Sequence, residues 1–387
     1  MTGERRKALI LRPDPTIVGG VTVHIEQLFA SSLSKAWDLD TFVVGRPPGP
    51  EGVAAKVGRA FGSSWALGRT LWERKPSIVH VNTSLVPDAL FRDAVYMAVA
   101  KQAGCRVVCQ VHGGFTPEEL VSRMFGRLPT GRAMLARMLG LADALVLLVP
   151  GEVPPLRALL PDARIDIIPN AVDETLYRRP PARRPGPPRL LFLGRVVESK
   201  GIFDLIDAVA MLTADGLDFE VRVVGAGDDA KAAQRRSETL GIADRVRWDG
   251  ALYGNAKIAA WVDADLFVFP SKHPEGLPYT LLESMAAGTP MVTTRSGGIG
   301  DVVGEGDQGL VVAPGDVAAF ADAVRTLLLD PVRAEAMGRR GRATVIERYA
   351  LRQLGARFEA VYEAVGRRIS LPPTRHSTPR TPPSSHI

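Results

Sequence analysis

The stretch FVFPSKHPEGLPYTLLESMAAGTPMV, residues 267–292, decides the fold class of this chain. It joins an apolar run, a polar loop, a short helical pattern and a second apolar run. Pro278 stands at the start of the helical pattern and Gly288 just after its end, which is the usual punctuation of a helix. The pattern predicts a strand, a helix and a parallel strand, with the helix N-terminus at the carboxyl end of the sheet. Because oriented amides and the helix dipole favour an anion there, we expect a phosphate site.

The same alternation of short apolar runs and helical patterns extends over most of the chain. It is typical of parallel sheets flanked by helices. The runs predicted as strands are KALIL, TFVV, SIVHVN, RVVCQVH, ALVLLV and DIIP in the first half, and LLFLG, FEVRVVG, VRWDG, LFVFP, PMVTT and GLVV in the second.

A Pro- and Arg-rich segment, residues 178–189, opposes both helix and strand and is predicted to be a linker. A chain of 387 residues exceeds the usual size of one hydrophobic core. We therefore predict an α/β protein with two Rossmann-like, doubly wound parallel-sheet domains, residues 1–177 and 190–345, that face each other across a cleft. Helices over residues 346–368 would brace both domains, and the Pro/Ser/Thr-rich tail, residues 369–387, is predicted to be disordered.

The composition and the apolar segments indicate a soluble, cytoplasmic protein. Hydrophobic residues make up 46 % of the chain and charged residues 23 %, which is typical of globular proteins. The apolar run near the N-terminus is too short for a secretion signal, and no segment reaches the roughly 20 residues that cross a bilayer. Cys105 and Cys109 are four positions apart on one predicted strand, too far to form a disulfide, so we expect two free buried thiols.

The formal net charge is +6, and the basic excess lies in the first half of the chain. An excess of this size suits anionic lipid head groups or phosphorylated substrates. It lacks the dense basic stripe of a nucleic-acid-binding protein, so we expect no nucleic-acid partner.

Four charged side chains are expected near the predicted phosphate site. Glu275 lies in the loop before the helix, and Glu283 lies within the helix. Arg195 and Lys200 follow the first strand of the second domain, where a guanidinium and an ammonium group could together neutralise a diphosphate. The alternative for each is an ordinary solvated surface charge.

The first domain offers small residues and a histidine to the same cleft. Gly19 and Gly20 precede a helical pattern and would allow the backbone to approach a bulky anion. The full GxGxxG fingerprint is absent, which disfavours a nicotinamide dehydrogenase. His112 is expected at the carboxyl end of a strand, where a purely structural role is the alternative. His24, in the first helical pattern, is predicted to be structural.

Taken together, these motifs resemble those of the retaining GT-B glycosyltransferases of family 4. The resemblance is carried by EGLPYTLLE with its E-x7-E spacing, the early GG pair, HGG, IPNAVD and GRVVESKG, which occur in the family's order across residues 8–365. It implies a GT-B architecture and the transfer of a hexosyl unit from a GDP- or UDP-sugar to a saccharide acceptor. It also implies that no metal and no cofactor is needed.

The resemblance assigns roles to five residues. Glu275 would contact the hydroxyls of the donor sugar, and Glu283 would bind the ribose hydroxyls of the nucleotide. Arg195 and Lys200 would hold the diphosphate and stabilise the leaving nucleotide. His112 would contact the donor sugar from the opposite domain.

The backbone around the helix start is also implied in donor binding. The early glycines, above all Gly20, would let the first-domain loop approach the phosphates, and Gly276 lies in the signature itself. Pro278 departs from the glycine that some family members have there, and it has no amide to donate. The amides of Leu277, Tyr279 and Thr280 would have to bind phosphate instead.

The acceptor is expected to be a saccharide, in particular a polyprenyl-linked one used in exopolysaccharide or cell-envelope glycan synthesis. The segment EELVSRMFGRLPTGRAMLARMLG, residues 118–140, combines arginines with apolar positions and suggests peripheral binding to an anionic membrane surface on its inner face. An amphipathic helix packed on its own domain is the alternative. A nucleotide-sugar epimerase of the same fold and a non-catalytic sugar-nucleotide-binding protein are the alternative functions.

Overall fold

The protein is described by a computed structural model over residues 6–17, 19–45, 53–177 and 185–367. Its first sheet is entirely parallel, with the strand order β2-β1-β3-β4-β5-β6. The strands are β1 (Lys7–Arg12), β2 (Asp38–Val43), β3 (Ile78–Leu85), β4 (Arg106–Gly114), β5 (Ala144–Leu147) and β6 (Ile165–Ile167).

The second sheet is also parallel, with the order β12-β11-β10-β7-β8-β9. Read from its other edge, this is the strand order of the dinucleotide-binding Rossmann fold. The strands are β7 (Arg189–Leu193), β8 (Glu220–Val224), β9 (Val246–Gly250), β10 (Leu266–Phe269), β11 (Met291–Thr294) and β12 (Gly309–Val312).

Helices connect the strands and cover both sheets. In the first half they are α1 (Gly20–Ala30), α2 (Leu33–Ala36), α3 (Val53–Arg74), α4 (Pro87–Gln102), α5 (Pro117–Phe125), α6 (Gly131–Leu139) and α7 (Val153–Leu159). In the second half they are α8 (Ile202–Ala214), α9 (Ala230–Thr239), α10 (Gly254–Val262), α11 (Tyr279–Ala287), α12 (Ile299–Val302), α13 (Val317–Leu329), α14 (Pro331–Thr344) and α15 (Leu351–Arg367). No helix in the described ranges has the length and apolarity that a membrane crossing requires.

Each sheet has its own buried core, and the last helix belongs to the first of them. Phe358 and Tyr362 of α15 are fully buried in a cluster that also contains Ile10 of β1 and Ile25 of α1. The chain returns to the first domain through a π-helical turn, Val345–Tyr349. The amphipathic period of α15 is therefore explained by packing on the first sheet.

Each sheet has a point where the chain reverses the direction in which strands are added, between β1 and β3 and between β7 and β10. Loops at the carboxyl ends of such strands diverge and leave a crevice, which is the usual ligand site of open α/β sheets. The loops that follow β1, β7 and β10 contain the glycine pair, the Arg195–Lys200 segment and Glu275.

The predicted fold class is confirmed, and every predicted strand run is found as a strand. Cys105 and Cys109 are both free and buried, as predicted. One of the alternatives considered for residues 118–140, an amphipathic helix, is found in another form, because the segment makes two short helices, α5 and α6. The break follows from Gly126, which has φ +57°, and from Pro129, which has no amide to continue a helix. Most of the predicted linker, residues 178–184, and the predicted tail, residues 369–387, lie outside the described residues.

Candidate functional site

A cleft of about 700 Å³ lies between the two sheets, where the loops after β1, β7 and β10 meet the start of α11. Most of the residues predicted from the sequence line it. They are Gly19, Gly20, His112, Arg195, Lys200, Glu275, Gly276, Leu277, Tyr279 and Thr280. Glu283 does not line this cleft and lies behind its wall. Residues distant in the sequence thus meet at the two crevices of the parallel sheets.

The two predicted cations differ in how they are held. The Lys200 ammonium forms an ion pair with the Glu275 carboxylate, whose Oε1 also accepts a hydrogen bond from Ser271 Oγ at 2.7 Å. Burial lowers the pKa of Lys200, and the pairing with Glu275 opposes this effect while nearby Arg195 adds to it. Arg195 is exposed and makes no ion pair with the residues that the structure describes. The cleft therefore offers one unpaired guanidinium beside an ammonium that has a counter-charge.

Glu283 is held by two side chains of α10. It is 4 % exposed, and its carboxylate accepts hydrogen bonds from Lys257 Nζ at 2.5 Å and from Trp261 Nε1 at 3.0 Å. Lys257 lines the cleft, so this lysine connects the Glu283 carboxylate to the cleft by a hydrogen bond. Sequence reasoning missed both partners, although their i, i+4 spacing on one helix places them on a common face.

The start of α11 is positioned by side chains of the first domain. Asn170 Nδ2 donates to the carbonyl of Leu277 at 2.7 Å, and the Tyr279 hydroxyl donates to Gln27 Oε1 at 3.0 Å. Pro278 is the N-cap residue and has an extended conformation. The first amides of a helix have no partner within it, so α11 points hydrogen-bond donors and the positive end of its dipole into the cleft.

His112 is held in one tautomer as a neutral imidazole. Asn82 Nδ2 donates to the carbonyl of Leu11 at 3.1 Å, so Asn82 Oδ1 accepts the hydrogen bond from His112 Nε2 at 2.8 Å. Nε2 therefore carries the proton and Nδ1 is left as an acceptor. Burial, with a contribution from nearby His80, lowers the pKa of His112 to about 3.

Two further histidines are buried beside His112. The ring of His24 lies edge-on to it, with the centroids 5.2 Å apart. His80 Nδ1 is 2.7 Å from the Tyr362 hydroxyl of α15, and burial lowers the pKa of His80 to about 4. Uncharged imidazoles therefore lie at and directly behind the first-domain side of the cleft.

Glycine allows the loops of the two domains to touch. Gly113 has φ +89°, and a Cβ atom there would lie 2.6 Å from the amide nitrogen of Gly276 in the opposite domain. Gly297 has φ +58°, and its Cβ would lie 2.1 Å from the carbonyl oxygen of Glu275. The position of the Glu275 loop therefore depends on backbone contacts that a larger residue would prevent.

Comparison with known proteins identifies both halves of the chain. The family described as "Glycosyl transferase 4-like domain" matches residues 19–171, and "Glycosyl transferases group 1" matches residues 173–344. Together the two matches contain all the residues that line the cleft within the described ranges except Ile17.

Among characterised relatives, the chain is 32 % identical to the 2-deoxystreptamine glucosyltransferase of Streptomyces kanamyceticus over 232 residues, 60 % of this chain and 58 % of that protein. It therefore spans little more than half the length of that relative. It is 31 % identical to the GDP-mannose-dependent alpha-(1-6)-phosphatidylinositol monomannoside mannosyltransferase of Mycolicibacterium smegmatis over 277 residues, 67 % of this chain and 71 % of that protein.

Solved structures share the fold. Sucrose-phosphate synthase from Thermosynechococcus elongatus superposes with a TM-score of 0.76 at 21 % identity, covering 93 % of this chain and 99 % of that one. The Anabaena protein HepE, in complex with UDP-glucose, gives a TM-score of 0.72 at 16 % identity, with 92 % and 99 % covered. From the two family matches and this shared architecture, the chain belongs to the group 1 glycosyltransferases and has the GT-B fold.

Proposed function

We propose that the protein is a retaining, metal-independent hexosyltransferase that uses a GDP- or UDP-sugar donor and a saccharide acceptor. The observation that carries this proposal is the convergence of Arg195, Lys200, Glu275 and the N-terminus of α11 on one interdomain cleft. Two cations and a helix start suit a diphosphate, and the adjoining carboxylate suits sugar hydroxyls.

The donor would lie with its diphosphate between Arg195 and the start of α11. Its sugar would then lie between Glu275 and His112, where Nδ1 of the neutral imidazole would accept a hydrogen bond from a sugar hydroxyl. The nucleotide would extend along the second domain, towards Lys257 and the exposed ring of Tyr253, which also line the cleft. Glu283 would act on the ribose by way of its contact with Lys257.

The proposed reaction retains the configuration of the anomeric carbon. The bond from this carbon to the leaving phosphate oxygen breaks, and a bond to the acceptor hydroxyl oxygen forms on the same face. The hydroxyl proton passes to the departing phosphate oxygen, which makes an enzymic nucleophile unnecessary. Arg195 and Lys200 would stabilise the negative charge on the leaving nucleotide, a role that a divalent cation has in many other glycosyltransferases.

Binding of the donor is tested by a thermal-shift panel of UDP, GDP and ADP with their common sugar conjugates. A specific ligand stabilises the folded state by mass action, so one base should raise the melting temperature more than the others. Glu283→Gln should weaken this shift. Glu305→Gln, at an exposed carboxylate paired with Arg295, is the matched control and should leave it intact. No shift with any nucleotide would overturn the proposal.

Product analysis separates the two alternative functions. An epimerase would interconvert the donor sugar in the absence of any acceptor. A non-catalytic binding protein would bind the nucleotide sugar but release no nucleoside diphosphate. Transfer with retention, insensitive to a chelator of divalent cations, is the outcome expected of the proposed enzyme.

The proposed acceptor is a polyprenyl-linked saccharide, which places the protein at the inner face of the cell membrane during exopolysaccharide or cell-envelope synthesis. Exposed aromatic side chains on α3 and α4 support this location: Trp65 is 69 %, Trp72 77 % and Phe91 65 % exposed. Trp65 and Trp72 are seven residues apart and share one face of α3. Tryptophan is favoured at membrane–water interfaces.

The arginines of the segment 118–140 give less support to membrane binding. The Arg123 guanidinium lies over the Phe115 ring at 3.8 Å, and Arg132 donates to the Ala158 carbonyl at 2.8 Å. These groups contact their own domain. The aromatic face of α3 and α4 is therefore the surface to test.

Flotation with anionic phosphatidylglycerol vesicles at low salt measures this binding. The double variant Trp65→Ala/Trp72→Ala should lose it. Leu329→Ala/Val332→Ala, which removes two exposed apolar side chains of the second domain, is the matched control. Equal flotation of all three proteins, or of none, would contradict the membrane-facing surface.

A further inference from the structure

A second cavity, of about 380 Å³, adjoins the donor cleft and has no role in the function described so far. Glu275 lines both cavities, and Gly113, which contacts Gly276 across the domain boundary, lies in the wall of the second. The residues between the two cavities therefore include the carboxylate that would hold the donor sugar. An acceptor must reach this same point from outside the donor site.

The walls of this cavity come from both domains. The first domain supplies the end of β4, the loop to α5 and the segment from Val149 to Leu156. The second supplies the loop residues Pro274 and Glu275 and the turn Gly297–Gly298 before α12. Apolar side chains of Leu85, Val111 and Leu156 form part of the lining. Apolar patches together with glycine backbone and a few polar groups are the usual lining of a small-ligand site.

All ionisable side chains that line this cavity are carboxylates. They are Glu119, Glu152, Glu275 and Asp301, and no lysine, arginine or histidine of the described residues is among the lining. Among the residues that the structure describes, Glu275 is the one of these four with a cationic partner, Lys200. The cavity is thus anionic, in contrast to the donor cleft, where cations outnumber carboxylates.

Glu152 and Asp301 place their carboxylates close together from opposite domains. Glu152 Oε2 accepts hydrogen bonds from the amides of Leu148, at 2.9 Å, and Val149, at 3.4 Å. An Asp301 oxygen lies 2.5 Å from the position of a Cβ atom on Gly151, the neighbour of Glu152. Burial raises the pKa of Glu152 to about 7, and the Asp301 carboxylate adds to this rise against the amide hydrogen bonds. Each carboxylate would gain from a ligand that donates hydrogen bonds or carries positive charge.

We propose that this cavity binds the accepting sugar unit and selects one with hydroxyl or ammonium groups over one with phosphate or carboxylate groups. The inference rests on the proposed transferase function and specifies the acceptor class for the same site. A phosphate within a few ångströms of this pair would meet the negative charge of Asp301, and that of Glu152 in the fraction of molecules where it is ionised, in a partly desolvated space. For a polyprenyl-linked acceptor, the diphosphate must therefore lie outside the cavity, with a neutral or amine-bearing sugar inside.

Binding of four simple probes tests this proposal on the full chain, with and without saturating nucleotide. The probes are methyl α-D-glucoside, glucosamine, glucose 6-phosphate and glucuronate, measured by saturation-transfer NMR and calorimetry. Glucosamine should bind most tightly, and glucose 6-phosphate and glucuronate should bind roughly tenfold or more weakly than the neutral glucoside. Asp301→Asn should reduce the preference for glucosamine. Asp322→Asn, at an exposed carboxylate of α13, should leave it unchanged.

The outcomes distinguish failure of this inference from failure of the proposed function. Tightest binding of glucose 6-phosphate or glucuronate, a glucosamine preference that survives Asp301→Asn, or no binding of any probe to the nucleotide-bound protein would overturn the acceptor assignment. The transferase proposal would stand in each of these cases, because nucleotide binding is measured separately. If no nucleotide binds, the transferase proposal fails, and the acceptor assignment fails with it.

Discussion

In the proposed donor cleft, the wall formed by the second domain is charged, whereas the described part of the wall formed by the first domain is neutral. Arg195, Lys200, Lys257 and Glu275 belong to the second domain, and the first contributes glycines, Asn170 and the uncharged His112. Two of the three cations have a carboxylate partner within the same domain. The charged wall can thus keep its ammonium groups in place in the absence of a donor, and the neutral wall can contact a sugar without competing for its phosphates.

The ion pair of Lys200 with Glu275 gives the largest expected effect. Lys200→Ala removes a charge from the proposed diphosphate site and leaves the part-buried Glu275 carboxylate without its cation, so we expect turnover to fall by roughly ten- to a hundredfold or more. Steady-state transfer rates at saturating donor measure this loss. Lys272→Ala is the control, because Lys272 pairs with Asp204 at 3.1 Å and does not line the cleft. Full turnover of Lys200→Ala would show that the Lys200 charge does not contribute to catalysis.

Acidification tests the neutral wall. The folded-state pKa of His112 is about 3, below the value of about 6.5 for an exposed histidine. The unfolded chain therefore binds a proton below pH 6.5 that the folded chain does not bind, so stability falls as the pH drops towards 3. Between pH 7 and pH 5 the loss from this one group should be about 2 kcal/mol.

Urea unfolding of the native protein and of His112→Asn at both pH values measures this contribution. The variant should lose less stability on acidification than the native protein does, because its side chain does not titrate. His80, with a folded-state pKa of about 4, should make the native protein still more acid-sensitive. An equal loss in the two proteins would mean that His112 is charged in the fold.

The sequence predicts the sheets well because their central strands, such as β3, β5, β10 and β11, are buried on both faces and appear as continuous apolar runs. The glycines and charged residues after those strands could also be placed, because the carboxyl ends of parallel strands lie at the same edge of a sheet. What could not be predicted depends on contacts between distant elements. The period of α15 shows that one face is apolar but not that Ile10 and Ile25 cover it. Likewise, the hydrogen bonds of Lys257 and Trp261 to Glu283 follow from the packing of α10 against α11, which the sequence does not show.

Loss of the hydrogen bond from Trp261 to Glu283 is expected to have an intermediate effect. Trp261→Phe keeps most of the buried ring but removes the Nε1 donor, so the Glu283 carboxylate loses one of its two hydrogen bonds from α10 and keeps that from Lys257. Loss of one hydrogen bond to a charged group should weaken donor nucleotide binding by roughly tenfold. Calorimetric titration with the nucleotide measures this change. Trp248→Phe, a half-buried tryptophan of β9 outside the cleft lining, should bind the nucleotide as the native protein does; equal weakening in both variants would contradict a specific role for Glu283.

Gly20→Ala is expected to have the smallest effect, and it tests the neutral wall formed by the first domain. A Cβ atom at Gly20 would lie 3.7 Å from Tyr279 Cδ2, an ordinary contact, so the substitution fits the fold without a ligand. Replacing glycine by alanine in a compatible helical position stabilises by about 0.4–1 kcal/mol, so the melting temperature should hold or rise. A few-fold increase in the donor KM without loss of stability would then indicate that the phosphates or the sugar need the space that the added methyl group occupies at this wall. Gly62→Ala, on an exposed part of α3 with open space around it, gives the stability effect without the cleft. If both variants keep the native KM, the first domain approaches the donor elsewhere, and Asn170 and His112 remain as its contacts.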